Sequence, residues 1–418
     1  MEQLFTQALG LTAPWSVESV DFRPHEGGIY FSVECEASRL PCPGCGAADQ
    51  PIHDRLPRRW QHLHFFQFRA YIEARLPRVA CRECGKTIQV EAPWARPGAG
   101  FTLLLEAFVV ALCQSMPVAQ VARLLGVSDD RVWRVLDHHV EAARAREDHA
   151  AVRKIGVDEI SARRGQKYVT LFHDAEQRRL LFGTEGRDAQ TFVAFAEDLA
   201  AHQGAADAIT EVSMDLSRAY QAGAARVCPA AAISFDPFHV VALAGRALDQ
   251  VRRAETRTTP ELKGSRWGTL KSAEDWTSDQ IDTMHWLQRT SLKTARAWRL
   301  KEALRAVYTD RPDALHAEQH LRRWISWARR SRLAPFKVLG ATVRDHLDGI
   351  VQHFRSGLSN AFAESMNALI KAAKARAKGY ATTRNLITIA YLLCAKLKHL
   401  PRNPWTDRSP SGGSVVRA

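Results

Sequence analysis

The stretch Lys154-Ile155-Gly156-Val157-Asp158 decides the fold, because it is a short apolar run that ends in an acid. Two later runs share this form: residues 209–214 lead to Asp215, and residues 231–235 lead to Asp236. A carboxylate at the end of a buried strand carries a heavy desolvation penalty unless a cation lies beside it. Aspartates on strands, joined by a glutamate on a helix, can hold divalent metal ions for phosphoryl transfer.

The pattern around these acids predicts five strands and two helices. The strands are expected at 154–158, 167–174, 179–184, 209–214 and 231–235, and the helices at 188–202 and 217–223. Three strands in a meander, then a helix, a strand, a helix and a strand, is the order of the RNase H-like fold. In that fold the first and fourth strands are neighbours, so Asp158 and Asp215 are expected to face each other across one strand spacing, about 4.8 Å. Glu159 would point to the opposite face of its strand.

A long helical segment is predicted after the fifth strand, over 241–355. It begins with a basic stretch and holds six of the eleven tryptophans, namely Trp267, Trp276, Trp286, Trp298, Trp324 and Trp327. Tryptophans in a helical domain usually fill its core. One or two of them could instead stack on an unpaired or flipped base, and the sequence leaves both interpretations open.

A third acid, Glu364, lies on a predicted helix that becomes strongly basic after it, and residues 365–406 contain no acid. The lysines at helical spacing on one face of this helix are Lys371, Lys374 and Lys378. A carboxylate beside a basic face suits a metal-bound phosphodiester, because the acid can hold a cation while the lysines hold flanking phosphates. The alternative is a solvated amphipathic helix with an ordinary surface glutamate.

Four of the eight cysteines form two Cys-x-x-Cys pairs, and the pairs are Cys42 with Cys45 and Cys81 with Cys84. Two such knuckles close a tetrahedral site of four thiolates, which suits structural zinc. The 35 residues between the pairs exceed the usual spacing of roughly 15–20. Alternation within 60–75 predicts a hairpin that links the knuckles. The alternatives are a redox pair beside a coincidental one, or substitute ligands among His53, His62 and His64.

A helix-turn-helix pattern follows a linker rich in Pro, Gly and Ala. Helices are predicted at 102–115 and 118–125, Gly126 ends the second, and Ser128 is a good N-cap for a longer third helix. The last helix of such a motif enters the major groove of DNA. Its expected exposed positions are Ser128, Arg131 and Arg134. A plain helical hairpin is the alternative, and the adjacent zinc knuckles and basic charge favour DNA binding.

The overall composition favours a polyanionic partner. The net charge is +13 over 418 residues and the pI is about 9.6, which indicates nucleic acid first and an anionic membrane second. No apolar run reaches the length of a membrane helix, and the first residues lack the form of a secretion signal. We therefore expect a reducing cytoplasm without structural disulfides. The remaining cysteines, expected to be buried, are Cys35, Cys113, Cys228 and Cys394.

The order of these motifs resembles the ISL3 family of bacterial insertion-sequence transposases over roughly residues 40–400. The resemblance is carried by the knuckles, the helix-turn-helix, Val157-Asp158-Glu159, Met214-Asp215, Phe235-Asp236-Pro237-Phe238-His239, and residues 360–367 before Gly379-Tyr380. It implies a DDE-type transposase whose triad is Asp158, Asp215 and Glu364, with Mg²⁺ or Mn²⁺ bound there. It also implies that the partners are the DNA ends of the element and its target, and that at least a dimer brings two ends together.

The fold class expected from these observations is multidomain α/β, with an RNase H-like core interrupted by a helical insertion. The expected parts are a zinc-binding module at 1–95, a helix-turn-helix at 100–148, the first part of the core at 152–240, the insertion at 241–355, the last core helix at 356–400 and a disordered tail at 401–418. Two residues depart from the family pattern. Ile160 stands where an aromatic residue is common, and Ser365 stands where a glycine is common, but neither is in the triad.

Two questions stay open on the sequence alone. Asp236 either caps a helix that begins at Pro237, which we favour, or is a further acid of the core. The function is expected to be metal-dependent cleavage and strand transfer at terminal inverted repeats. The alternatives are a DNA-binding regulator derived from a transposase, without catalysis, and a structure-specific nuclease that cuts without joining.

Overall fold

The computed structural model describes residues 2–163, 167–310, 312–358 and 360–406. The chain forms two compact units, one of residues Met1–Arg144 with Lys398–Ala418 and one of Ala145–Leu397. The expectation of a disordered tail falls mostly on residues 407–418, which lie outside the described residues. Among the helices within the described ranges, none has the length and apolar character needed to cross a bilayer.

The first unit begins with a helix, α1 (Glu2–Ala8), and a six-stranded sheet. The strands are β1 (Trp15–Arg23), β2 (Gly28–Cys35), β3 (Arg39–Leu40), β4 (Gln50–Phe65), β5 (Phe68–Ala80) and β6 (Thr87–Gln89), and the path across the sheet is β1-β2-β5-β4-β3 with β6 paired to β5. β4 and β5 form a long antiparallel hairpin, with Phe65 paired to Phe68 at its turn. The predicted hairpin between the two cysteine pairs is therefore confirmed. Trp15, Trp60 and Trp94 pack together in the core beneath it.

Three helices follow in the first unit. They are α2 (Leu103–Cys113), α3 (Val118–Leu125) and α4 (Asp129–Arg144). Thr102 caps α2 by accepting a hydrogen bond from the backbone N–H of Leu105. Gly126 ends α3 in the left-handed conformation with φ of 63°, which a residue without a Cβ adopts at little cost. The short helix, the glycine turn and the longer helix agree with the predicted pattern.

The second unit contains a five-stranded sheet. The strands are β7 (Lys154–Arg163), β8 (Lys167–Asp174), β9 (Arg179–Glu185), β10 (Glu211–Met214) and β11 (Ala232–Phe235), in the order β11-β10-β7-β8-β9. β7, β8 and β9 form an antiparallel meander, and β10 is parallel to both β7 and β11. The helices α5 (Gln190–Ala201) and α6 (Arg218–Val227) connect the later strands. This is the predicted RNase H-like order, and β7 and β10 are neighbours as expected.

β7 continues past Asp158, which corrects the expected strand end at residue 158. Asp158 pairs with Leu171 of β8, and the pairing of these two strands extends to Arg163. Ile160 and Ala162 are buried while Ser161 between them is exposed, so the alternation of a strand persists beyond the acid. The pairing of β7 with β10, by contrast, extends only to Gly156. Asp158 therefore lies inside β7, two residues past the last residue of β7 that pairs with β10.

Helices dominate the rest of the unit. They are α7 (Pro237–Glu255), α8 (Arg266–Leu270), α9 (Ser278–Arg289), α10 (Lys293–Thr309), α11 (Ala314–Arg330), α12 (Ala334–Asp345), α13 (Leu347–Ser356), α14 (Ala361–Arg376) and α15 (Thr383–Cys394). The sheet shares one apolar core with α7 and with α10 to α13. Gly349 allows this packing, because a Cβ there would meet the ring of Phe235 at 2.5 Å. The insertion is thus fastened to the sheet edge at β11.

The tryptophans of the insertion divide into two groups. Trp324 is buried and donates its indole N–H to the carbonyl of Leu300, and Trp276 packs near Trp298. The large hydrophobic side chains that remain exposed include Trp267, Trp286 and Trp327. Trp324 therefore fills the core, and Trp276 and Trp298 pack against it partly buried, while Trp267, Trp286 and Trp327 are more accessible to a base.

Candidate functional site

Three aspartates lie on three neighbouring parallel strands, Asp215 and Asp236 just after β10 and β11 and Asp158 within β7. Met214, the last residue of β10, pairs with Phe235, the last residue of β11. Asp215 and Asp236 directly follow these two strands. The backbone N–H of Asp236 donates to the carbonyl of Met214. Asp158 lies two residues beyond the last pair that β7 makes with β10. The sheet therefore brings all three carboxylates to the end where β10 and β11 terminate.

Asp158 is held by two hydrogen bonds. Its Oδ1 accepts from the backbone N–H of Glu159 at 2.8 Å, and its Oδ2 accepts from the Nδ2 of Asn367 at 2.7 Å. Burial raises the pKa of Asp158, and the negative charges of Asp236 and Asp215 act in the same direction. The other strand acid, Asp215, is half-buried and accepts from the backbone N–H of Ser217 at 2.9 Å. The negative charges that act on Asp158 in this way favour a bound cation beside it.

The helix α14 returns across the insertion to lie against β7. Asn360, just before the helix, donates its Nδ2 to the carbonyl of Val157 at 3.2 Å, and Asn367 reaches Asp158. Lys374 donates to the carbonyl of Ser161 at 2.8 Å. Glu364 is four residues after Asn360 and three before Asn367, so it lies on the same helical face. Glu364 therefore lies about one helical turn from the residue that binds Asp158.

The carboxylate of Glu364 is exposed, and its charge raises the pKa of Asp236. Within the described residues, two groups bring three or more ligand atoms within 4.8 Å of one another, and the predicted triad is not among them. The ligand atoms of Asp158, Asp215 and Glu364 therefore do not converge to within 4.8 Å of one another. Carboxylate oxygens are the donors that hard divalent cations prefer.

Asp236 departs from the favoured interpretation as a helix cap. It does precede Pro237 at the start of α7, but its side chain makes no capping hydrogen bond. The residue is only 5% exposed, and its Oδ2 is buried with no hydrogen-bond partner among the described residues. The imidazole Nε2 of His239 lies 3.8 Å from that oxygen. A buried carboxylate in this state fits the alternative interpretation, a further acid of the core.

Asn360, Asn367 and His239 belong to the site although the sequence pattern assigned them no role. Asn360 and Asn367 are buried, and each binds β7 through its side-chain amide. The signal that could have identified them is their spacing, since both lie on the helical face of Glu364. His239 follows Asp236 by three residues, which aligns the two side chains on α7.

The predicted basic face of α14 opens into a groove. The groove is lined by Lys371, Lys374 and Lys378 from the end of the helix, and by Ala162, Arg163 and Tyr380 among others. Lys378 lies beyond the last helical residue, Arg376, which corrects its expected position on the helix. The chain leaves the helix there through positive φ values at Lys378 and Gly379, of 56° and 102°. The three lysines nevertheless border one space at the distal end of β7.

The four knuckle cysteines converge in the first unit. The Sγ atoms of Cys42 and Cys84 are 3.9 Å apart, those of Cys45 and Cys81 are 3.5 Å apart, and all four lie within 4.8 Å of one another. Tetrahedral zinc with Zn–S bonds of about 2.3 Å separates its sulfurs by about 3.8 Å. Backbone N–H groups of Cys45 and Gly44 lower the pKa of Cys42 to about 7, which favours the thiolate. The residues therefore fit structural zinc, and the described histidines do not join the group.

The three candidate DNA contacts in the helix-turn-helix differ in exposure. Ser128 and Arg134 are exposed, Ser128 just before α4 and Arg134 on it. Arg131 is half-buried, since its guanidinium lies over the ring of Phe101 and donates to the carbonyl of Gly100 at 3.2 Å. Arg131 thus fastens α4 to the segment before α2, and Arg134 has more freedom to reach DNA.

The fold and this arrangement define a class of protein. An RNase H-like sheet that gathers aspartates at one edge, with a glutamate brought back by a late helix, is the architecture of DDE-type enzymes that transfer phosphoryl groups in DNA. Comparison with known proteins agrees. A family model described as a transposase, for the DDE domain of ISL3 elements, matches residues 155–390. The helix-turn-helix domain of transposase family ISL3 matches residues 90–140, and the zinc-finger of transposase IS204/IS1001/IS1096/IS1165 matches residues 39–84.

Similar proteins extend over almost the whole chain. The transposase for insertion sequence element IS1557 of Mycobacterium tuberculosis, from strains CDC 1551 and H37Rv, is 31% identical over 450 residues, which covers 98% of each chain. The transposase for insertion sequence element IS1001 of Bordetella parapertussis is 28% identical over 390 residues, covering 91% of this chain and 95% of that one. The chain belongs to the ISL3 family of DDE transposases. This membership favours a transposase over a non-catalytic regulator.

Proposed function

We propose that this chain cleaves DNA at the terminal inverted repeats of an insertion sequence and transfers the strand, using Asp158, Asp215 and Glu364. The observation that carries the proposal is the return of α14 to β7, where Asn367 binds the carboxylate of Asp158 at 2.7 Å. This contact links residues more than 200 positions apart in the chain and supports the assignment of Glu364, which lies three residues before Asn367 on α14. The test is cleavage of duplex DNA containing an element end by the wild-type chain and by triad variants.

The triad would hold divalent metal ions, and Mg²⁺ is the ion we propose. When bound, such ions activate the attacking hydroxyl and stabilise the leaving oxygen in phosphoryl transfer. The residues of the chain keep the ligands in position. The amide of Asn367 fixes the rotamer of Asp158, and the backbone N–H of Ser217 fixes that of Asp215. Fixed ligands lower the cost of assembling the site, since less side-chain freedom is lost when the ions bind.

The DNA would be held by elements of both units. The groove of Lys371, Lys374 and Lys378 is proposed to bind phosphates that flank the scissile bond, because two of these lysines lie on the same helix as Glu364 and the third directly follows it. Ser128, Arg131 and Arg134 are proposed to act at the inverted repeat, Arg134 and Ser128 by direct contact and Arg131 by positioning α4. Joining two ends requires two catalytic sites in one complex, so we propose a homodimer or larger assembly on DNA.

Asp236→Asn is expected to stabilise the metal-free protein and to reduce its activity. Burial raises the pKa of Asp236, so the folded chain holds the proton more tightly than the unfolded chain does. The stabilisation from that proton is complete below the ordinary aspartate pKa of about 3.9 and is lost as the pH rises through the raised value. Asparagine has no charge to bury, so the free energy of unfolding at neutral pH should rise by about 1–3 kcal/mol.

The activity of the same variant should fall about 10–100-fold, as expected for a residue that supports the metal ligands but is not a ligand itself. Urea unfolding at acidic and neutral pH, with and without Mg²⁺, measures the first effect, and cleavage of end-containing DNA measures the second. Asp282→Asn is the control, because Asp282 is an exposed acid on α9. An unfolding free energy with the same pH dependence in Asp236→Asn and wild type would refute the assignment of a buried charge.

A further inference from the structure

A groove on the helical insertion is lined by four arginines. Its lining residues are Arg322, Ile325, Ser326, Arg329 and Arg330 of α11, with Arg344 of α12 and Leu347 of α13, around a cavity of about 510 Å³. Residues 322, 326, 329 and 330 fall on one face of α11 at helical spacing. We call this feature the arginine groove. It is formed by helices other than the one that carries Glu364 and its lysines.

The walls of the arginine groove are fixed by close packing beneath it. α11 and α12 cross where Gly340 meets Ala328, and a Cβ on Gly340 would lie 3.2 Å from that of Ala328. Ile325 and Leu347 are buried at the base of the groove. The backbone positions that carry the four arginines are therefore held fixed relative to one another.

The charge of the arginine groove is only partly balanced. Arg322 pairs with Glu318 at 2.6 Å, and Arg344 pairs with Asp345 at 2.8 Å. Arg329 and Arg330 are exposed, and neither has a carboxylate within 4.0 Å among the residues that the structure describes. Over residues 314–356 the chain has eight Lys and Arg but three Asp and Glu. Like charges this close repel each other unless an anion lies among them.

We propose that the arginine groove binds the phosphate backbone of duplex DNA, as a contact surface separate from the helix-turn-helix and from the lysines beside Glu364. The proposal rests on the proposed function, since it takes DNA as the partner. Guanidinium groups match phosphate oxygens in a planar, bidentate geometry, and an open groove with several of them suits a polymer of phosphates. Such contacts position the duplex without reading its sequence. On this proposal the helical insertion binds duplex DNA whatever its sequence, whereas the helix-turn-helix recognises the inverted repeat.

The test measures how DNA affinity depends on salt. Full-length wild-type protein and the Arg329→Gln/Arg330→Gln double variant are titrated onto fluorescent duplexes, without added Mg²⁺, between about 50 and 200 mM salt. One duplex contains the element end and another of equal length has an unrelated sequence. Each lost phosphate contact lowers the slope of log affinity against log salt by about 0.9, so the double variant should lose about 2 on both duplexes. Arg329→Lys/Arg330→Lys keeps both charges and should keep the wild-type slope.

The outcomes are distinct. An unchanged slope in the glutamine variant would overturn the proposal, as would a loss confined to the element-end duplex. If inorganic phosphate or pyrophosphate alone binds the wild-type protein by calorimetry, and the glutamine variant loses that binding with its DNA slope unchanged, the groove takes a small anion and the proposal also fails. If the wild-type protein binds the duplexes but never cleaves them with Mg²⁺ present, the proposed function fails, while the slopes still decide the role of the groove.

Discussion

Asp158→Asn, Asp215→Asn and Glu364→Gln are each expected to abolish cleavage and strand transfer while leaving binding to element-end DNA intact. Each change removes one proposed anionic metal ligand from a region where Asp158, Asp215 and Asp236 concentrate negative charge. Loss of a ligand that organises phosphoryl transfer should lower the rate at least about a thousandfold, which corresponds to about 4 kcal/mol of transition-state stabilisation. Gel assays of cleavage and joining on end-containing duplexes, with Mg²⁺ and with Mn²⁺, measure the effect.

The control for this series is Glu176→Gln. Glu176 is an exposed acid in the turn after β8, far along the strand from the level of Asp158, and it forms only a long ion pair of 3.7 Å with Lys154. The Glu176→Gln variant should cleave end-containing DNA at the wild-type rate. Urea unfolding of each triad variant is the folding check, because the recognition module lies in the other unit and its DNA binding would survive a misfolded catalytic unit. Cleavage retained by any one of the three would remove that residue from the triad.

The pairing of β7 with β10 could be predicted, because the order of strands and helices along the chain restricts the sheet topology. Three strands in a meander followed by helix–strand–helix–strand leave few ways to form one sheet without crossed connections. The parallel pairing of Ser213 with Gly156 and of Met214 with Phe235 follows that order. Local pattern was sufficient here, because each acid stands directly after an apolar run of strand length.

The parts that could not be predicted depend on contacts between distant segments. Whether β7 ends at Asp158 is decided by which strand lies beside it, and β8 continues to pair where β10 does not. The amide of Asn367 binds Asp158 across 209 positions of sequence, and no local spacing indicates that partner. Asp236 followed a common helix-start pattern, yet its carboxylate turns inward beside His239. An aspartate before a proline has the same local sequence in either role, so burial alone separates them.

Cys42→Ser and Cys81→Ser are expected to remove zinc and to loosen both knuckles without unfolding the hairpin of β4 and β5. Structural zinc sites in finger peptides contribute about 10–16 kcal/mol at neutral pH, so a knuckle that loses a thiolate loses most of what orders it. Cys81 directly follows β5, and the pairing of β5 with β6 begins beside it, from Ala80 with Thr87. The hairpin itself rests on the packed rings of Trp15, Trp60 and Trp94.

Zinc content by elemental analysis and hydrogen exchange over residues 39–50 and 78–89 measure these effects. Exchange should rise in those two segments and stay low in the hairpin centre, and element-end binding should weaken. Cys113→Ala is the matched control, because Cys113 is buried in α2 and lies outside the knuckles. This variant should retain zinc. Acid should release the metal from wild type, because protons compete for the thiolates and Cys42 titrates near pH 7 before metal binds. Full zinc content in Cys81→Ser would show that the four thiolates do not form the site, since no described histidine is close enough to replace one.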